Sequence, residues 1–260
     1  MLRMLVGWIG ILLLAAPAWG VTELDLTTAL SSGTLNNSLF YQFTSGGAGS
    51  GAVDDFVRFQ KANSATTEGY NTDGSPFQYD EVGGSFTHSI LLSDIPIMDI
   101  GGTSYREFAF DINEAGGNKT PLSLDEVQLY VAGSGSLLGH PTFGGSATLV
   151  YDLDAGGDGD SRVLLDMGLS GGGSGKLDML MYIPDSLFTA VGTYGPDPNV
   201  YLYSKVGEKG GFWDNSDGFE GWVVSEDGGI GIPVPEPAGM LMLGAGLTGL
   251  LWIGGRRPRS

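Results

Sequence analysis

The chain has 260 residues, 45 of them glycine and none cysteine, so its fold is held without disulfides and offers no thiolate metal site or cysteine nucleophile. Thirty acidic residues stand against twelve basic ones, a formal net charge of −18, which repels nucleic acid and anionic lipid. Four arginines (Arg3, Arg256, Arg257, Arg259) and Glu236 sit near the two ends, leaving 29 acidic and 8 basic residues between.

At the start, Arg3 precedes an apolar run over residues 4–14, and Ala16-Pro17-Ala18 or Ala18-Trp19-Gly20 offers small residues for cleavage. The run is too short to span a bilayer and ends at Pro17, so residues 1–20 are expected to be an export signal peptide. Residues 21–225 form the body. There, short apolar-aromatic runs alternate with glycine clusters such as Gly46-Gly47-Ala48-Gly49 and Gly171-Gly172-Gly173. The runs cover 40–43, 56–59, 86–92, 105–112, 126–131, 148–153, 162–167, 179–183, 200–206 and 219–224. Several alternate with period two, as in Val127-Gln128-Leu129-Tyr130-Val131, which predicts strands bounded by turns.

About ten such strands predict an all-β body, an antiparallel β-sandwich of jelly-roll-like type. Pro121-Leu122-Ser123-Leu124-Asp125 reads as a lead-in to the next strand. Pro184-Asp185-Ser186-Leu187-Phe188 predicts one short helix, capped by Asp185 or Ser186. Residues 226–233 read as a Gly/Pro linker.

The last segment, residues 234–260, has three parts in order: Val234-Pro235-Glu236-Pro237, an uncharged apolar span over 238–255, and the basic end Arg256-Arg257-Pro258-Arg259-Ser260. A span of about 18 residues is at the lower limit for a single transmembrane helix. Arginines directly after it favour leaving that end in the cytoplasm. The body is thus expected across the inner membrane, anchored through the C-terminal tail. The glycine pattern Gly244-Ala245-Gly246-Leu247-Thr248-Gly249 lies inside the apolar span, without the strand and βαβ unit a dinucleotide site needs. Small residues at that spacing suit helix packing in lipid.

This tail resembles the PEP-CTERM sorting signal of Gram-negative bacteria. The resemblance implies recognition by an exosortase-type transpeptidase. Pro235, Glu236 and Pro237, with Arg256 and Arg257, would be the recognised residues, as substrate. It further implies transient membrane anchoring and then release to the cell surface or an exopolysaccharide-rich matrix. The body resembles a recurring type among such proteins. The residues are Asp111-Ile112-Asn113-Glu114, Tyr151-Asp152-Leu153-Asp154-Ala155-Gly156-Gly157-Asp158, Tyr182-Ile183-Pro184 and Gly218-Phe219-Glu220-Gly221-Trp222. That type implies no mechanism.

Within the body, Asp152-Leu153-Asp154-Ala155-Gly156-Gly157-Asp158-Gly159-Asp160 places four carboxylates within nine residues. Hard oxygen ligands grouped on a glycine-rich loop suit Ca2+. Neither regular calcium loop fits, because Gly156 and Val163 stand where an EF-hand needs ligands, and Ser161 stands where the RTX calcium repeat needs Asp. The segment therefore reads either as a solvated acidic hairpin turn or as an irregular calcium site of Asp152, Asp154, Asp158 and Asp160, with Asp166 turning back toward it. A shorter acidic loop, Asp214-Asn215-Ser216-Asp217-Gly218, reads as an ordinary turn.

Catalytic patterns are sparse. Gly168-Leu169-Ser170-Gly171-Gly172 spells a nucleophile elbow, but His88 and His140 both precede it and glycines follow it. A carboxylate pair such as Glu107 and Glu126, on neighbouring strands, is the form a glycoside hydrolase would take. His88 alternates with Phe86 and Ile90 and reads as structural. Trp213, Trp222, Tyr201 and Tyr203 are candidates for sugar stacking or for the core, with Tyr201 and Tyr203 on one strand face. The reading is a non-enzymatic exported protein. The alternatives are a calcium-assisted carbohydrate-binding module and a secreted glycoside hydrolase.

Overall fold

Glycine breaks and period-two runs divide the chain into strands, and two sheets collect them. The computed structural model describes residues 20–44, 53–113, 121–157, 159–170, 176–189, 192–216, 218–225 and 229–230. The chain divides into two units, Met1–Gly229 and Ile230–Ser260. Apart from Ile230, the second, with its apolar span, lies outside the described residues, as do residues 1–19 of the expected export signal. Among the described residues no helix is long and apolar enough to cross a membrane.

The first unit contains fourteen strands among its described residues. They are β1 (Thr22–Asp25), β2 (Ser32–Leu35), β3 (Ser38–Gln42), β4 (Val53–Phe59), β5 (Thr67–Tyr70), β6 (Ile90–Leu91) and β7 (Ile97–Ile100). β8 (Thr103–Asn113), β9 (Pro121–Ala132), β10 (Ala147–Asp152), β11 (Ser161–Asp166), β12 (Leu177–Pro184), β13 (Asn199–Val206) and β14 (Phe219–Ser225) follow. One short helix, α1 (Asp185–Thr189), follows β12, and Asp185 in its first turn pairs with Arg106 at 2.6 Å. One sheet runs β1-β11-β9-β13-β5, with β10 also along β9 and β6 along β13. The other runs β2-β3-β12-β8-β14-β4, with β7 along β8. Pairing is antiparallel except at one edge, where β1 runs parallel to β11.

The inward face of each strand supplies the core. Leu129 and Val131 of β9 and Val200 and Leu202 of β13 meet Phe108 and Phe110 of β8 and Met179 and Met181 of β12 in one buried cluster. Trp222 of β14 is wholly buried, its ring 4.7 Å from Phe110. Its indole N–H donates to Ser204 Oγ of β13 at 2.8 Å, a hydrogen bond between the sheets. The body is thus an all-β sandwich with one shared core.

Several expectations are corrected. Residues 86–92 are not one strand: only Ile90 and Leu91 are, and Phe86 lies in a tight turn under the Arg58 guanidinium. The segment is diverted because the His88 amide donates to the Phe56 carbonyl of β4. Pro121 to Asp125 is no lead-in but the first part of β9, where Ser123 and Leu124 pair with β11. β1, β2, β5 and β7 carry weak patterns. Gly69 interrupts β5, where a Cβ would stand 3.1 Å from Phe59 Cβ, so close strand packing replaces a side chain there.

Candidate functional site

The acidic segment is not a hairpin turn. β10 and β11 both pair antiparallel with β9, β10 over Gln128 to Ala132 and β11 over Pro121 to Leu124. They run in the same direction, end to end along one edge of β9, and residues 153–160 are an excursion between them. Leu153 is fully buried, and its amide still donates to the Val127 carbonyl, so the chain leaves the sheet only after Leu153. This edge carries the excursion across the outward-facing Asp125 and Glu126 of β9.

Both ends of the excursion are pinned. At its start, Asn36 Nδ2 donates to the Asp152 carbonyl at 2.6 Å. Asn36 and Asn37 form the β2–β3 turn with φ of 43° and 63°, the left-handed pair that a two-residue hairpin turn requires. At its end, the Thr22 amide of β1 donates to the Asp160 carbonyl at 2.7 Å. Asp152 Oδ1 accepts the Asp154 amide and Asp154 Oδ1 accepts the Ser161 amide, each at 2.9 Å. Burial, with Asp152, Asp160 and Asp125 nearby, pushes the Asp154 carboxyl up to about 6 against the help of the Ser161 amide.

The sequence-predicted calcium set is therefore partly gathered. Asp154 and Asp160 lie on one excursion, Asp152 stands at the end of β10 just before it, and Asp158 lies outside the described residues. Among the described residues no group of three or more His, Asp or Glu side chains is arranged to hold a metal ion. Asp166 does not turn back. It stands at the far end of β11, opposite Pro121, and its Oδ1 accepts the Gly168 amide at 2.8 Å. The sorting residues Pro235, Glu236, Pro237, Arg256 and Arg257 lie outside the described residues, as does Asp217 of the second acidic loop.

Beneath the excursion is a cavity of about 350 Å3 lined by Asp125, Glu126, Asp154, Asp160, Arg162 and Glu208. Glu208 arrives through a loop after β13. Gly207 there has φ of 85°, and a Cβ would stand 2.0 Å from the Ala65 carbonyl oxygen, so only glycine fits. That turn lets the Glu208 amide donate to Asp125 Oδ2 at 2.6 Å and the Lys209 amide to Ser123 Oγ at 3.3 Å. Asp125 is 5% exposed, and burial raises its carboxyl and that of Glu126 above the ordinary range. Arg162 Nη1 stands 3.6 Å from Asp125 Oδ1 and its Nε 3.8 Å from Glu23 Oε1. Lys209 pairs with Glu23. Lys205 pairs with Glu208 at 3.1 Å. Four of the six lining residues, Asp125, Glu126, Arg162 and Glu208, had no signal as a group, because two strands, β9 and β11, and the loop after β13 bring them together.

The other predicted residues separate. Glu107 and Glu126 are not on neighbouring strands: β8 and β9 are consecutive in the chain but enter opposite sheets. Glu107 instead accepts the Tyr182 hydroxyl at 2.8 Å. The Ser170 hydroxyl lies 2.5 Å from Asp178 Oδ1 and 3.0 Å from the Met167 carbonyl, far in sequence from either histidine. Tyr201 and Tyr203 share one outward face, as their spacing predicts, and are covered by Tyr70, Tyr130, Phe143 and His140 in a second buried cluster. His140 stacks on Tyr203 at 4.0 Å. Its Nδ1 lies 3.1 Å from Tyr79 OH and its Nε2 3.0 Å from Gln128 Oε1, while Gln128 Nε2 donates to Asp152 Oδ2 at 3.3 Å. Burial pushes the imidazole down to about 4, so it is neutral near pH 7.

The chain matches no family model, no curated protein and no solved structure.

Proposed function

We propose that the chain is an exported, non-enzymatic surface or extracellular-matrix protein, sorted by an exosortase-type transpeptidase and associated with exopolysaccharide. The observation that carries this reading is the ordered tail: Pro235-Glu236-Pro237, an uncharged span over 238–255, then Arg256 and Arg257. The body supports it in one respect. The described strands all lie between Thr22 and Ser225, so removing a leader before residue 21 and a tail from residue 234 takes away no described strand. The body is then a finished sandwich that a sorting enzyme can pass on. Replacing Glu236 by Gln should leave the tail uncut, so that cell fractionation finds the protein in the inner membrane. Release of this variant at the normal level would defeat the reading.

A second reading, a calcium-assisted carbohydrate-binding module, is favoured by the charge crowded on Asp152, Asp154 and Asp160. A cation that binds only the folded state raises stability by mass action. Millimolar Ca2+ should then raise the melting temperature by several degrees, and less so in Asp154→Asn. An unchanged melting curve would remove calcium.

A further inference from the structure

We propose that the cavity of Asp125, Glu126, Asp154, Asp160, Arg162 and Glu208 binds a neutral polyhydroxylated ligand, a segment of uncharged polysaccharide, with one hydroxyl seated between Asp125 and Arg162. The proposal rests on the carbohydrate-binding half of the second reading and puts a hydroxyl where that reading puts an ion.

Asp125 and Arg162 both line this cavity, and each carries one buried side-chain atom without a hydrogen bond among the described residues. Asp125 Oδ2 is occupied by the Ser123 hydroxyl and the Glu208 amide. Asp125 Oδ1 is buried and accepts no hydrogen bond among the described residues. Its nearest cation, Arg162 Nη1, stands at 3.6 Å, beyond hydrogen-bond reach. Arg162 Nε is likewise buried and donates to nothing among the described residues. A buried polar group left unsatisfied costs about 1–3 kcal/mol, so the acceptor on Asp125 and the donor on Arg162 would each gain from a partner.

The charges around them select the ligand. A metal ion would satisfy Asp125 but meet the Arg162 guanidinium, with Lys205 and Lys209 nearby. An anion would meet the carboxylates of Asp125, Glu126, Asp154, Asp160 and Glu208. A hydroxyl donates and accepts at once, so it can donate a hydrogen bond to Asp125 Oδ1 and accept one from Arg162. Carboxylates at the rim accept from adjoining hydroxyls. The loop that carries Glu208 also carries Phe212, which is 82% exposed, and the half-buried Trp213. Lys209 of the same loop stands over the Trp213 ring at 5.6 Å, and an aromatic ring offers an apolar face on which a sugar ring can stack.

The test is calorimetric titration of the full chain in detergent. The probes are neutral gluco-, manno- and galacto-oligosaccharides, with oligogalacturonate and calcium chloride alone as the competing arms. Binding to at least one neutral series is expected, with none to oligogalacturonate. Arg162→Met and Asp125→Asn should each weaken it about tenfold or more. Asp125 also anchors the 207–213 loop, so melting temperatures are recorded. Glu208→Gln, altered at a half-exposed carboxyl outside the core, should weaken binding in a protein that melts normally. Absence of binding to every neutral series overturns the proposal, as does binding that Arg162→Met and Glu208→Gln leave unchanged. Calcium binding in place of sugar overturns it too and returns the site to the metal reading. None of these results touches the sorting reading, which stands or falls on cleavage of the Glu236 variant.

Discussion

Asp178 and His140 pull stability in opposite directions with pH. Asp178 is almost wholly buried. Desolvation pushes its carboxyl up to about 7 despite hydrogen bonds from Ser170 and the Ile112 amide, and Asp111 and Asp166 add to the rise. A raised carboxyl stabilises the fold fully below its unfolded value near 4, and that contribution is lost as pH rises through about 7. His140 is depressed to about 4 by burial. Its contribution is present above its unfolded value near 6.5 and is lost as pH falls toward 4. The two should partly cancel between about pH 7 and 4. Asp178→Asn should therefore melt at progressively lower temperature than wild type as acid is added, whereas His140→Gln should hold its stability better. Parallel melting curves for either variant across this range would refute its assignment. The acid run around Asp152 was legible at this scale. The need of Asp125 for a partner was not, because it follows from Arg162 stopping 3.6 Å short.

At the scale of elements, β1 does more than its sequence suggests. Thr22-Glu23-Leu24-Asp25 shows only weak alternation, yet it closes the edge of β11 in parallel register and holds the Asp160 carbonyl. Just beyond it, Leu26 is fully buried in the core, whereas Leu30 is 76% exposed. Leu26→Ala should destabilise the body by about 2–5 kcal/mol in denaturant unfolding, and Leu30→Ala by less than about 0.5 kcal/mol. Equal effects would mean that β1 does not seal the sandwich. Most of β8, β12, β13 and β14, and β9 from Glu126 onward, could be read from periodicity because turn-forming residues punctuate the sequence between them and most of their inward residues are apolar. The collinear placement of β10 and β11 could not, because two runs joined by a glycine-rich segment look alike whether they pair with each other or share a third strand.

Over the whole body, charge is the dominant field. Between the terminal segments there are 29 acidic residues against 8 basic ones. Arg58, Lys61, Arg106, Arg162, Lys205 and Lys209 all stand in ion pairs with acids. The remaining acids repel one another, which destabilises a compact state at low ionic strength. Raising sodium chloride from about 0.02 to 0.5 M shortens the screening length several-fold and should raise the melting temperature by a few degrees. A fall would show that the ion pairs outweigh the repulsion.

By itself the sequence determined the β class, the absence of covalent cross-links, the acidic field and the ordered features of the two ends. Each depends on composition or on local periodicity, which need no knowledge of distant contacts. The tertiary structure alone decided that β8 and β9 part into different sheets, that Glu107 and Glu126 never meet, and that Asp125, Arg162 and Glu208 converge beneath the acidic excursion. Those outcomes depend on which strands pair, and pairing is chosen by burying many inward side chains together in one core.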